Sequence, residues 1–137
     1  MRMLGSKELA RMWGSLVDMI DRSLHYGGGT LTSHGLFLQC MQGHAQCWVR
    51  EDDWGLIKGV AITRFEQSET KKYLAICVTT SEGWFEHGTE CHNILEQFAK
   101  ATECNRMAVY GRPGWKRALK SLGYYEPYTT LFKDLEE

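Results

Sequence analysis

The chain has 137 residues, the size of one domain spanning 1–137, and is long enough to bury about two thirds of its unfolded surface. At 43% hydrophobic and 24% charged residues it is too apolar to be disordered, and a net charge of -1 argues against nucleic acid or a membrane surface as a partner. No apolar run approaches the ~18 residues of a membrane span, and residues 1–12 lack the charged, apolar and small-residue order of a secretory signal.

In chain order, Ser6 suits the N-cap of a helix to about His25, with Leu9, Trp13, Leu16, Val17, Ile20 and Leu24 forming one apolar stripe. Gly27, Gly28 and Gly29 end it. Thr32 or Ser33 caps a second helix carrying Leu36, Phe37, Cys40 and Met41, and Gly43 closes that one. The period then changes to two. Ala45, Cys47 and Val49 alternate with Gln46, Trp48 and Arg50 in a first strand. Leu56 to Phe65 forms a second strand disturbed at Gly59, and Glu66 to Lys72 a charged turn. Tyr73 to Thr79 is apolar on both faces, as a central strand covered on both sides must be. These three runs form an antiparallel meander.

Ser81 to Gly88 reads as a loop. A helix follows with Cys91, Ile94, Leu95, Phe98 and Ala101 on one face. The stretch from Arg106 to Tyr128 then packs several signals together: the apolar strand Met107 to Tyr110, the turn Gly111-Arg112-Pro113-Gly114, a short amphipathic helix with Trp115, Ala118, Leu119 and Leu122, and a stop at Gly123. A last strand runs through Tyr124 and Tyr125 to Asp134. The order α, α, β, β, β, α, β, α, β predicts an α/β domain whose mixed central sheet carries helices on both faces. The passage from 73 to 110 should join parallel strands through its helix.

This order resembles the GCN5-related N-acetyltransferase (GNAT) fold without its first strand. The stretch Gly111 to Tyr124, G-R-P-G-W-x-R-x-L-x-x-x-G-Y, resembles small GNAT-like proteins of tailed bacteriophages, as does the helix end Glu96 to Cys104. Arg117 to Gly123, R-x-L-K-x-x-G, is similar to the last helix of GNAT-like internal virion proteins of short-tailed phages. The resemblance implies a viral protein of the host cytoplasm or the virion, and an acyltransferase that uses acetyl-CoA. Its acceptor would be a small-molecule or protein amine. A GNAT fold that has lost its chemistry would instead contact a phage or host protein.

The resemblance also assigns roles. Main-chain groups of Cys77, Val78 and Thr79 would hold the pantetheine arm. Gly83, His87, Gly88 and Thr89 would meet the pyrophosphate at a helix start, where free amides favour anions, and Arg112 would be an anion contact or a cap. The family's Arg/Gln-x-x-Gly-x-Gly/Ala loop is absent, and Glu82 and Glu86 place acid where phosphate would sit. The tyrosine that the family uses as its acid falls at Leu119. Tyr110 and Tyr124 are the remaining phenolic candidates, Tyr124 more simply a packing residue at a strand start, and Glu66 or Glu69 could act as base from the turn. His44 with Cys47, and Cys91 with His92, lack the spacing of a zinc site, so no metal is expected. Arg106, Arg112, Lys116, Arg117 and Lys120 form a basic cluster suited to phosphate.

Overall fold

The computed structural model describes residues 1–25, 29–80, 84–111 and 115–136, with 84–88 described by their backbone alone. The elements are β1 (Arg2–Met3), α1 (Ser6–Leu24), α2 (Ser33–Met41), β2 (Ala45–Glu51), β3 (Ile57–Gln67), β4 (Lys72–Thr79), α3 (Trp84–Ala101), β5 (Arg106–Val109) and α4 (Lys116–Ser121). The five strands form one sheet in the order of the chain. β1 to β4 pair antiparallel, and β4 pairs with β5 in parallel across α3.

Two apolar clusters sandwich the sheet. On one face Leu9, Leu16 and Ile20 of α1 and Leu36 of α2 meet Cys47, Val49, Ile62 and Ala75. On the other, Leu95 and Phe98 of α3 meet Trp48, Ala61, Ile76, Met107 and Val109. β4 contributes to both clusters, which is why its sequence is apolar without alternation. One polar relay lies within the second layer. The Trp48 Nε1–H donates to Thr63 Oγ1 at 2.9 Å, and the Thr63 hydroxyl donates to Gln46 Oε1 at 2.7 Å.

Local chemistry sets several boundaries. Thr32 caps α2 by accepting from the Gly35 N–H at 3.0 Å. Gly5, not Ser6, occupies the N-cap of α1 and gives no side-chain cap. Arg2 binds Glu8 at 2.7 Å and Glu51 at 2.8 Å, tying β1 to both α1 and β2. β1 is thus a first strand that the sequence pattern does not reveal, because two residues cannot display a period.

Four further boundaries differ from the sequence reading. The irregularity in β3 falls at Lys58, the extra residue between the pairs Arg50–Gly59 and Glu51–Ile57. The turn begins at Ser68, whose hydroxyl accepts from the Lys71 N–H at 3.0 Å, so Glu66 lies in a strand. α3 starts at Trp84 and runs through Gly88; a glycine inside a helix costs only about 1 kcal/mol and need not end it. The expected last strand is absent. No residue of 124–136 is in a strand, and 125–136 are exposed, because strand propensity forms no strand without a ladder partner.

Candidate active site

The site is built by an irregularity at the end of β4. Val78 pairs with Ile62 and Ile76 with Thr63, so Cys77 has no partner in β3. This is a β-bulge, and it bends the strand. Its effect shows in the packing: Ala75, Cys77 and Val78 all belong to the cluster beneath α1 and α2, whereas strict alternation would turn Val78 to the other face.

β5 leaves β4 at the same point. Its pairing ends at Ile76–Val109, and the last bond runs from the Tyr110 N–H to the Ile76 carbonyl at 3.1 Å. Cys77, Val78 and Thr79 therefore continue β4 with no β5 residue beside them. The Thr79 carbonyl accepts from Ser23 Oγ of α1 at 3.3 Å. On the α3 face a recess opens here, lined by Ile76, Thr79, Cys91 and Leu95. The sequence-assigned trio Cys77, Val78 and Thr79 is thus the part of the sheet whose main chain is open toward the missing neighbour. The Cys77 side chain faces the core, where burial pushes its thiol up to about 11, so it is a neutral packing group.

Tyr110 stands where the strands part. Its hydroxyl donates to the Glu66 carboxylate, with Oε2 at 3.0 Å. Alternation puts Arg64 and Glu66 on the same face of β3 as Ile62, the α1–α2 face. Arg64 Nη2 lies 3.6 Å from Glu66, and Arg64 Nε is buried with no hydrogen-bond partner among the described residues. The Glu66 side chain is 23% exposed and so stays reachable. Burial, and then the Glu66 carboxylate, push the Tyr110 phenol above its ordinary range. The sequence reading missed this pair by placing Glu66 in a turn, although the strand period of Thr63 to Phe65 continues through it.

Tyr124 lies on the other face. Its hydroxyl is 2.7 Å from His92 Nε2 of α3 and 3.8 Å from Met107 Sδ of β5. Burial pushes Tyr124 up to about 12 and holds His92 below its ordinary value. Tyr124 is half-buried packing between α3 and β5, and it starts no strand. The two candidate tyrosines are not brought together.

Of the groups assigned to pyrophosphate, Gly83 and Arg112 lie outside the described residues, as does the His87 side chain. Gly88 and Thr89 are the fifth and sixth residues of α3, beyond its first-turn amides, which run from Trp84. One charge of the basic cluster is offset, since Lys116 binds Glu126 at 2.9 Å, while Arg106 keeps its charge and lies over the Tyr73 ring at 5.5 Å. Among the described residues no group of three acidic, His or Cys side chains is arranged to hold a metal, and no helix is long and apolar enough to cross a membrane.

No family model and no curated protein matches the sequence. Solved structures do match the fold. A predicted acetyltransferase with acetyl-CoA from Clostridium acetobutylicum superposes with a TM-score of 0.73 at 15% identity, covering 97% of this chain and 94% of that one. An aminoglycoside acetyltransferase from an uncultured soil sample, in complex with sisomicin, gives 0.69 at 14%, covering 98% and 95%. Glucosamine-6-phosphate N-acetyltransferase from Arabidopsis thaliana gives 0.66 at 14%, covering 98% and 97%. The mixed sheet, with its parallel β4–β5 pair and its helices, is the GNAT fold.

Proposed function

We propose that the protein is an N-acyltransferase that takes its acyl group from acetyl-CoA and gives it to an amine. The observation that carries this reading is the main chain of Cys77 to Thr79, left open where the bulge bends β4 and β5 departs. An extended amide-bearing arm can lie against such an edge as a strand would. The residues fit that end of the donor. For its phosphate end we assign the first-turn amides of α3, which run from Trp84. When bound, the donor supplies an acyl carbon activated by sulfur.

The chain's own contribution is on the α1–α2 face. Glu66 is a reachable carboxylate held by Tyr110, the residue at which β4 and β5 part, and we assign it to hold an ammonium and to take its proton. Tyr110 keeps its own proton and donates a hydrogen bond to Glu66, so it orients the base. Tyr124, at about 12, also keeps its proton near neutral pH. Neither phenol is tuned to release one, which agrees with Leu119 standing where the family's acid tyrosine would be. The neighbours named for an aminoglycoside and for glucosamine-6-phosphate act on amines, and we infer an amine acceptor here, on a small molecule or a protein.

The sequence motif Gly111 to Tyr124 supports a GNAT-like protein of the tailed-phage type, acting in the host cytoplasm or carried in the virion. A second reading, an inactive GNAT fold acting through contacts with a phage or host protein, draws on one observation. Tyr125, Tyr128, Leu131, Phe132 and Leu135 are all exposed.

The test is release of free CoA thiol from acetyl-CoA with a panel of polyamines, aminoglycosides and lysine peptides. Glu66→Gln should lower kcat by about 100-fold or more while acetyl-CoA still binds, since a positioned base contributes roughly that much. Binding without turnover on any amine would favour the second reading, and equal rates for Glu66→Gln would remove Glu66 from the chemistry.

A further inference from the structure

Arg64 stands beside Glu66 and takes no part in proton transfer. Both side chains rise from β3 on the α1–α2 face, two residues apart, and both are reachable, at 26% and 23% exposed. Arg64 Nη2 meets Glu66 Oε2 at 3.6 Å, beyond the roughly 3.2 Å reach of an N–H···O hydrogen bond. Arg64 Nε is buried and has no hydrogen-bond partner among the described residues. A tight structural pair of these groups is bidentate, with two parallel N–H···O bonds. Here the charges lie side by side instead, and each keeps hydrogen-bonding capacity. The Tyr110 hydroxyl donates to Glu66, and a carboxylate has lone pairs left after accepting one such donor.

The surroundings fix where this pair points. Arg64 is opposite Ala75 of β4, and Ala75 is beside Ala108 of β5. Burial raises the Cys77 thiol and the Arg64 charge counters it, so the guanidinium lies near the open stretch of β4. Glu66 is opposite Tyr73, and Tyr73 is beside Arg106, which lies over the Tyr73 ring at 5.5 Å. Glu66 thus has one arginine on its own strand and another two strands away on the same face. An aminoglycoside or a polyamine would bring several positive charges between those two arginines. A ligand with one ammonium and one carboxylate brings no net charge.

We propose that the acceptor is a free α-amino acid, its ammonium held by Glu66 and its carboxylate by Arg64. The nitrogen and the carboxyl carbon of an amino acid hang on one carbon and lie about 2.5 Å apart. They therefore meet two neighbouring side chains at once, and the four charges alternate in sign. The planar guanidinium fork matches a carboxylate. An amino sugar phosphate carries its two charges several bonds apart and does not match groups set side by side. A lysine side chain in a protein has no carboxylate on the carbon that bears its amine. This choice of acceptor rests on the acyltransferase reading and narrows it.

The test is isothermal titration of the full chain, with and without CoA, using the standard amino acids, each against its amide and its decarboxylated amine. At least one amino acid should bind saturably. Its amide and its amine should bind about 10-fold or more weakly, the loss of one hydrogen bond between charged groups. Arg64→Gln should bring the amino acid down to the level of its amide and leave the amide unchanged, and Arg64→Lys should restore part of the preference. An arginine with only a structural role would weaken all three ligands alike. No binding of any amino acid at millimolar concentration, equal affinity for acid and amide, or a preference that survives Arg64→Gln would each overturn the proposal. Amines acetylated with no preference for a carboxylate would refute this assignment and leave the acyltransferase standing. Amino acids bound through Arg64 but never acetylated would remove the acyltransferase and keep the site. If Arg64→Gln fails to fold, the wild-type comparison of acid with amide and the Arg64→Lys variant still decide.

Discussion

Thr63→Val removes the centre of the buried relay that fixes the register beside the bulge. Thr63 is fully buried, Trp48 is 5% exposed and Gln46 8%. The valine keeps the shape and removes one oxygen that both accepts from Trp48 Nε1–H and donates to Gln46 Oε1. Two buried polar atoms then lose their partner, at about 1–3 kcal/mol each. Both lie within hydrogen-bond distance of the same missing oxygen, so a rotation of Gln46 can bring them together and recover part of the loss. The expected destabilisation is about 2–4 kcal/mol, measured by urea denaturation. Thr63→Ser keeps the hydroxyl and loses one methyl group, for about 1 kcal/mol. Adding Trp48→Phe to Thr63→Val removes the orphaned donor, so the double variant should be more stable than the sum of the two single losses. A valine variant as stable as the serine variant would refute the claim that the relay holds this part of the sheet.

Two other changes test the surroundings of the site. A Cβ added at Gly111 would run into Trp115 Cε3 and lie 3.0 Å from Cζ3; an indole ring is rigid, so Gly111→Ala should cost about 1–3 kcal/mol by overpacking, and an unchanged denaturation midpoint would mean the Trp115 ring is not seated there. Burial raises Tyr124 from 10.0 to about 12, so its protonated form is favoured in the fold. That contribution to stability is complete below pH 10 and lost as pH rises toward 12. Denaturation midpoints measured across this window should fall less in Tyr124→Phe than in the wild type, and parallel slopes would show that Tyr124 does not contribute.

The sheet and its layers were legible because they rest on periodicity. The stripe of α1, the Thr32 cap, the alternation of β2 and the two-sided apolar run of β4 are all local patterns with one physical meaning. The site was legible only in part. Cys77 to Thr79 could be assigned by resemblance, but the bulge that opens them is a register shift between β3 and β4, and a register belongs to a pair of strands. Glu66 was hidden by its neighbours: Gln67, Ser68 and Glu69 look like a turn, and the strand runs through Glu66 and Gln67 before the turn begins. The C-terminal segment misled in the opposite sense. Its residues favour a strand, yet whether one forms depends on an edge supplied from elsewhere.

The central claim is that Cys77 to Thr79 form the open edge that receives an acyl-CoA. The most direct measurement is a backbone amide NMR titration with acetyl-CoA. The account predicts saturable shifts centred on Cys77, Val78, Thr79 and the first turn of α3 from Trp84, with β1 and β2 unmoved. No shift at millimolar ligand, or shifts centred away from the end of β4, would contradict it.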